Sequence, residues 1–427
     1  MTLKWLGVLA LAGLVLVSFW GCTRTPGQAE DPVPRETTPV VDENSTVNQN
    51  AALDPRLIEA QNRFGFQLLT QLQPQAPTEN LVISPLSISM ALSMTQSGAA
   101  GDTLGAMQKT LNLEGMEVAA VNNAIATQIA ALEAADSSSQ LTLANSLWAR
   151  DGGISLNPEF VQAAESSYQA EARVLDFNNP SALKTINDWV SKATAGKISS
   201  ILDQINSNDV LFLINAVYFK GAWETPFEPE MTTEEPFSLP DGTSANRALM
   251  SRSGDFFYTE TGDFQAVRLP YGNGRLGMVV LLPKAGKTAT VQSQLTADTW
   301  KQWNQQLSKR PGTLKLPKFK LEYSSDLNDP LAALGMEIAF DPERADFGRL
   351  SEAQTFISEV KHKTFIEVNE AGTEAAGSTS VGISVTSMPI EPPQPFEMVV
   401  NRPFFLVIED QVSSSILFLG WVMNPTP

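Results

Sequence analysis

The sequence holds one cysteine and one histidine in 427 residues. A single Cys excludes an internal disulfide, a CxxC redox pair and a thiolate-rich zinc site. A single His leaves His362 as the sole imidazole available to a Ser–His–Asp or Cys–His constellation. Basic residues are also in short supply: Lys+Arg number 29 against 47 Asp+Glu, a net charge of −18. The long-range field therefore repels nucleic acid and anionic membranes, and no nucleic-acid partner is expected. From Thr110 to Ala149 there is no Lys or Arg at all. No phosphate-cradling Gly-rich loop with a P-loop Lys and no metal-ligand cluster is visible, so neither cofactor nor metal is expected. Composition alone leaves catalysis by paired carboxylates open. What is plentiful is apolar residues, 43% against 18% charged, enough for a large core.

The N-terminus reads as an export signal. Lys4 precedes an almost wholly apolar run from Trp5 to Trp20. As a helix that run spans roughly 24 Å, short of the ~20 residues a bilayer needs. A positive start, a short apolar run and a small residue before a cut fit residues 1–21 as a signal peptide. Cys22, directly after Gly21, gives the segment a resemblance to bacterial lipoprotein signals, in which that Cys is lipidated and becomes the new N-terminus. A plain secretory signal with an incidental Cys, or an uncleaved anchor, are the alternatives. Residues 22–52 carry Pro26, Pro32, Pro34 and Pro39 without apolar periodicity, which reads as a tether.

From residue 53 to 427 no second linker and no internal repeat interrupts the chain, so one large domain is expected. Apolar residues recur at helical spacing from Leu57 to Leu72. A short strand enters at Leu81, and Pro85 suits the first turn of a buried helix after Ser84. Asp102 reads as the cap of another helix through Leu111. Val118–Ala135, Pro158–Ala172 and Pro180–Ile201 also read as helical, and Leu141–Trp148 as a strand. Val210–Lys220 is an apolar run suited to a central strand. Strands follow at 264–269, 276–282, 313–323, 358–368, 397–400, 404–409 and 415–422, with a helix near 329–335. Helices early and strands late, without βαβ alternation, indicate an α+β fold.

One long segment lacks structure signals. Residues 371–395 contain no Lys or Arg, and only Glu374 and Glu391 as charges. No proline occurs between Ala371 and Met388. A central strand excludes proline because the ladder needs its N–H. Val381, Ile383 and Val385 alternate with Gly382, Ser384 and Thr386, a period of two. Carried backward, the odd positions are Thr373, Ala375, Gly377 and Thr379, all small or neutral, while Glu374 falls on the opposite face. The segment is suited to becoming an inner strand; a solvated loop is the plainer alternative.

Several segments carry a family resemblance. They are Asn80-Leu-Val-Ile-Ser-Pro-Leu-Ser, Asn187-Asp-Trp-Val with Thr194-Ala-Gly-Lys-Ile, and Asn215-Ala-Val-Tyr-Phe-Lys-Gly-Ala-Trp. Further along stand His362-Lys-Thr-Phe-Ile-Glu-Val-Asn-Glu-Ala-Gly-Thr-Glu-Ala-Ala, Arg402-Pro-Phe-Phe and Phe418-Leu-Gly-Trp-Val-Met-Asn-Pro. Together, in this order, they resemble the serpins. The resemblance implies the serpin fold: helices around a large central mixed sheet plus smaller sheets, with an exposed reactive-centre loop at about 371–395. It implies a protein that is not an enzyme but a suicide substrate. A serine protease cleaves the loop, the acyl-enzyme forms, and the loop inserts into the main sheet with the protease attached. A non-inhibitory serpin, or an inhibitor of a cysteine protease, is the alternative.

The resemblance also assigns residues. The hinge is Glu370, Gly372, Thr373, Glu374, Ala375, Ala376, Gly377 and Ser378, free of bulky, charged or proline residues apart from the two glutamates. Ser84, Ser87, Asn215 and His362 form a polar shutter beneath the sheet. Trp223, Lys318 and Glu370 belong to the breach where the loop first enters. Family spacing puts the residue before the cut sixteen positions after Glu370, which gives Thr386–Ser387, with Ser387–Met388 as runner-up. Without Arg, Lys or an aromatic there, an elastase- or subtilisin-like target is expected. The missing basic residues at 110–149 argue against a heparin-like polyanion. A monomer, attached to membrane only through Cys22 or else free outside the cell, completes the reading.

Overall fold

The computed structural model describes residues 53–136, 138–373 and 394–426. The first helix, Pro55–Leu72, starts where Asp54 accepts the Arg56 N–H and Pro55 takes the first helical position. Strand Leu81–Ile83 leads to Ser84, whose hydroxyl accepts the Ser87 N–H and caps helix Pro85–Ser97. Every residue of that helix from Pro85 to Gln96 is buried, so it runs through the interior rather than over it. Helices Gly101–Thr110, Val118–Glu133, Pro158–Tyr168 and Ala182–Ala193 follow.

Local chemistry corrects several expected boundaries. Asp102 lies inside the first helical turn, and the cap position is Ala100. Helix Pro158–Tyr168 stops at Tyr168 because Gln169 takes the left-handed conformation, and Glu171–Leu175 is a strand. The next stops at Ala193, where Ala195 and Gly196 have positive φ. Thr194 Oγ1 then accepts the Ile198 N–H, and Asn187 Oδ1 accepts those of Ile201 and Leu202. The single strand expected at 313–323 is two, Ser308–Pro317 and Phe319–Asp326, in different sheets. Pro317 has no N–H to carry a ladder onward, and Lys318 is left at the crossover.

A six-stranded sheet runs in the order Phe319–Asp326, Glu359–Asn369, Gly372–Thr373, Leu211–Ala222, Ser139–Arg150, Glu171–Leu175. In a nine-stranded sheet the C-terminal strands Phe404–Asp410 and Ile416–Val422 lie side by side, between Leu276–Pro283 and Leu81–Ile83. Strand Leu211–Ala222 shows why its sequence is apolar without alternation. Leu211, Leu213, Val217 and Phe219 join one hydrophobic cluster. Phe212, Ile214, Ala216 and Tyr218 join another, with Ile186 and Val190 of helix Ala182–Ala193. Both faces are covered, so both sets of alternate positions must be apolar.

Candidate functional site

The six-stranded sheet contains a fork. Strands Leu211–Ala222 and Glu359–Asn369 are parallel neighbours, paired from Phe212↔Glu359 to Tyr218↔Phe365. Beyond that point they part. The chain turns back after Asn369, and Gly372 and Thr373 fill the gap, antiparallel to both neighbours. On one side the partners are Val368↔Thr373 and Asn369↔Gly372; on the other they are Ala222↔Gly372 and Gly221↔Thr373. Only glycine fits at 372. Its φ is 149°, and a Cβ there would stand 2.1 Å from the Gly221 carbonyl oxygen.

Thr373 is fully buried, and its Oγ1 lies 2.6 Å from the Tyr271 hydroxyl. Tyr271 stacks on Trp223 with ring centroids 4.5 Å apart. Burial raises the Tyr271 phenol, which stays protonated at any physiological pH. The Trp223 indole N–H donates to the Asn369 carbonyl at 3.0 Å. Just outside, Glu370 accepts from Lys318 Nζ at 2.9 Å and from Thr232 Oγ1 at 2.8 Å. Burial opposes ionisation of Glu370, but these hydrogen bonds outweigh it and hold the carboxyl below its usual range. The crossover that separates two strands at Lys318 thus sets a cation against the base of the hinge.

Lower in the same sheet lies a polar cluster. His362 and Asn215 are register partners on the two forking strands, and Asn145 is the partner of Asn215 on the next. The Ser84 N–H donates to His362 Nε2 at 3.2 Å. Nδ1 therefore carries the proton and donates to Asn215 Oδ1, 2.5 Å away. Asn215 Nδ2 donates to Ser87 Oγ and to Asn145 Oδ1. Ser84 and Ser87 come from the first turn of the buried helix, so the cluster ties that helix to three strands. The His362–Asn215 bond spans the line along which the two strands would have to part.

A neutral His362 is part of this arrangement. Burial pushes the imidazole from 6.5 down to about 3. Below pH 6.5 the unfolded chain takes up a proton that the native state refuses. Stability should fall with pH between those two values, by about 1.4 kcal/mol per pH unit. By pH 5 the loss from this group is roughly 2 kcal/mol. The chain has one His, so its NMR signal needs no assignment: it should not move between pH 8 and pH 5. A midpoint near 6.5 would contradict the buried cluster.

Residues 59–425 match the family profile described as Serpin (serine protease inhibitor). The chain is a serpin. A serpin-like protein of Thermococcus kodakarensis is 34% identical, covering 97% of this chain and 98% of its own. The pig leukocyte elastase inhibitor is 36% identical over 87% of this serpin and 100% of its own length. Human antithrombin-III is 32% identical over 97% of this chain and 96% of its own. Among solved structures, the thermophilic serpin tengpin in its native state superposes with a TM-score of 0.79 at 32% identity. That match covers 88% of this chain and 95% of tengpin. Human thyroxine-binding globulin has the same TM-score of 0.79 at 28% identity, covering 87% and 99%. The serpin fold is shared, and it occurs in a relative named as an elastase inhibitor and in one named as thyroxine-binding.

The structure of this serpin also fixes the far end of its loop. Arg310 Nε donates to the Gln394 carbonyl at 2.8 Å. The Phe396 ring stacks on Tyr258 at 3.8 Å, over Gly312, where a Cβ would leave only 2.3 Å to the ring. Strand Phe396–Val399 then pairs in parallel with Ser308–Pro317. Glu374, Ala375, Ala376, Gly377 and Ser378, the bonds at Thr386, Ser387 and Met388, and Cys22 all lie outside the described residues.

Three neighbours were missed in sequence. Asn145 is a polar residue in an apolar strand, a signal that was available. Tyr271 and Thr232 reach the hinge from other elements, and nothing in their local sequence marks them.

Proposed function

We propose that this serpin inhibits serine endopeptidases as a suicide substrate. The observation that carries the reading is the hinge itself: Gly372 and Thr373 already pair on both sides, between two strands that are otherwise parallel neighbours. Extending that register by counting gives each further loop residue up to Gly382 two strand partners. Thr379 comes level with Asn215 and His362, Val381 with Leu213 and Val360, and Ile383 with Leu211. Val360, Leu211 and Leu213 belong to the cluster on the buried-helix side. The odd positions of the loop would thus enter the apolar side, where each of Val381 and Ile383 contributes about 1.5–3 kcal/mol on burial. The even residue Glu374 comes level with Lys220 and Glu367, both half-exposed.

The protease supplies the chemistry. Its nucleophile attacks the carbonyl of Thr386, forms the acyl bond and releases the amine of Ser387; Ser387–Met388 is the alternative bond. The freed strand then zips into the fork before water reaches the ester. An elastase- or subtilisin-like enzyme fits the small residues here, and a cysteine protease with the same preference is a variant of the reading. A panel of elastase-, subtilisin-, trypsin- and papain-like proteases tests it. The expected product is an SDS-stable covalent complex, with the bond located by mass spectrometry. Clean cleavage by every protease, and no complex, would leave the non-inhibitory role.

We also propose that residues 1–21 are an export signal, that Cys22 is lipidated and that 22–52 tether the domain to the cell envelope. Cys22→Ala should move the protein from the membrane fraction to the soluble one. Retention in the membrane would instead favour an uncleaved helix.

A further inference from the structure

We propose that Tyr271 is a positioning residue that holds the hinge in the mouth of the sheet and selects its register. Tyr271 does not belong to the six-stranded sheet. It begins the turn between strands Phe264–Pro270 and Leu276–Pro283 of the other sheet, and its N–H donates to the Leu276 carbonyl at 2.9 Å. A β-bridge joins it to Trp223. Its ring is stacked on Trp223 and meets the Phe219 ring edge-on at 5.1 Å. The ring cannot turn away, so its hydroxyl is delivered to one place.

A buried phenol needs a hydrogen-bond partner, and here the partner is Thr373 Oγ1 at 2.6 Å. The neighbouring positions offer no substitute. A slip of one or two residues would bring Ala371, Gly372, Glu374 or Ala375 to the same place. None has a hydroxyl, and Glu374 would bury a charge. The Tyr271–Thr373 bond therefore distinguishes the observed rung from its near alternatives. A strand that adds rung by rung inherits the register of its first. The kinetic consequence rests on the inhibitory reading: correct first pairing should shorten the time from acyl-enzyme to full insertion.

The test is Tyr271→Phe in the full chain, which keeps the stacked ring and removes the hydroxyl. Amide hydrogen exchange in a peptide containing Gly372 and Thr373 should be about fivefold faster, the size expected from one neutral buried hydrogen bond. Thr373→Val should match it, the double variant should add nothing, and Thr373→Ser should restore slow exchange. Unchanged exchange in Tyr271→Phe, or additive effects, would overturn the proposal. With a protease that forms the covalent complex, Tyr271→Phe should yield more cleaved chain per complex at an unchanged cleavage rate. An unchanged ratio would also overturn it. If no protease forms a complex with the native chain, the inhibitory reading fails, and the exchange experiment still decides the role of Tyr271.

Discussion

Thr373→Arg should convert the protein from inhibitor to substrate. Thr373 is fully buried between Gly221 and Val368, under the Tyr271 hydroxyl. Its direct partners Gly221, Val368 and Tyr271 carry no carboxylate. Burying the unpaired guanidinium costs several kcal/mol, more than two rungs of strand return. The hinge should leave the fork in the intact protein, and after cleavage the same charge bars the loop from entering. Proteases should still cut the loop at the rate of the native chain, while the covalent complex disappears. Glu374→Arg is the control. By the register counted from Thr373, insertion would bring it level with Lys220 and Glu367, both half-exposed and one of them a carboxylate. That variant should keep most of the trapping. Equal loss in both would refute the assignment of odd positions to the buried face.

Thr379→Arg should fail later in the same process. Residue 379 lies outside the described residues, so the expectation rests on the register alone. Counting from Thr373 puts it between Asn215 and His362, where those side chains now bond to each other. A threonine hydroxyl can accept from one and donate to the other as they part. An arginine would meet a neutral His362 whose imidazole burial already holds near pKa 3, and two further amides without charge. The cost is again several kcal/mol, since a buried charge without a partner has no compensation. The intact variant should unfold at the temperature of the native chain. On cleavage, the native chain should become markedly more heat-stable as its loop pairs, and the variant should gain little. A variant that gained as much would show the loop to insert in another register or not at that depth.

These two positions differ in how far the sequence alone could take them. The period of two from Thr373 to Val385, the absence of Pro and the absence of Lys and Arg together mark a segment compatible with a sheet interior. That pattern is local, and a local pattern is legible. The partners are not. Thr373 meets Tyr271, 102 residues away, and Asn215 meets Asn145, 70 residues away. The strand expected as one at 313–323 is split between two sheets, a division that depends on where each half finds its neighbour. Lys318 faces Glu370 because of that division.

The sequence by itself determined the class of protein. Its single Cys removed an internal disulfide and a thiolate-rich metal site, and its motifs, in order, carried the serpin fold. It also determined which faces of the loop can tolerate burial, because side-chain polarity and the period of a strand are properties of the chain alone. Tertiary structure decided where the sheet forks, which two residues already occupy the fork and which hydroxyl holds them. Those facts depend on strands and turns far apart in sequence meeting within hydrogen-bond distance. They also depend on a backbone approach at Gly372 so close that no Cβ fits.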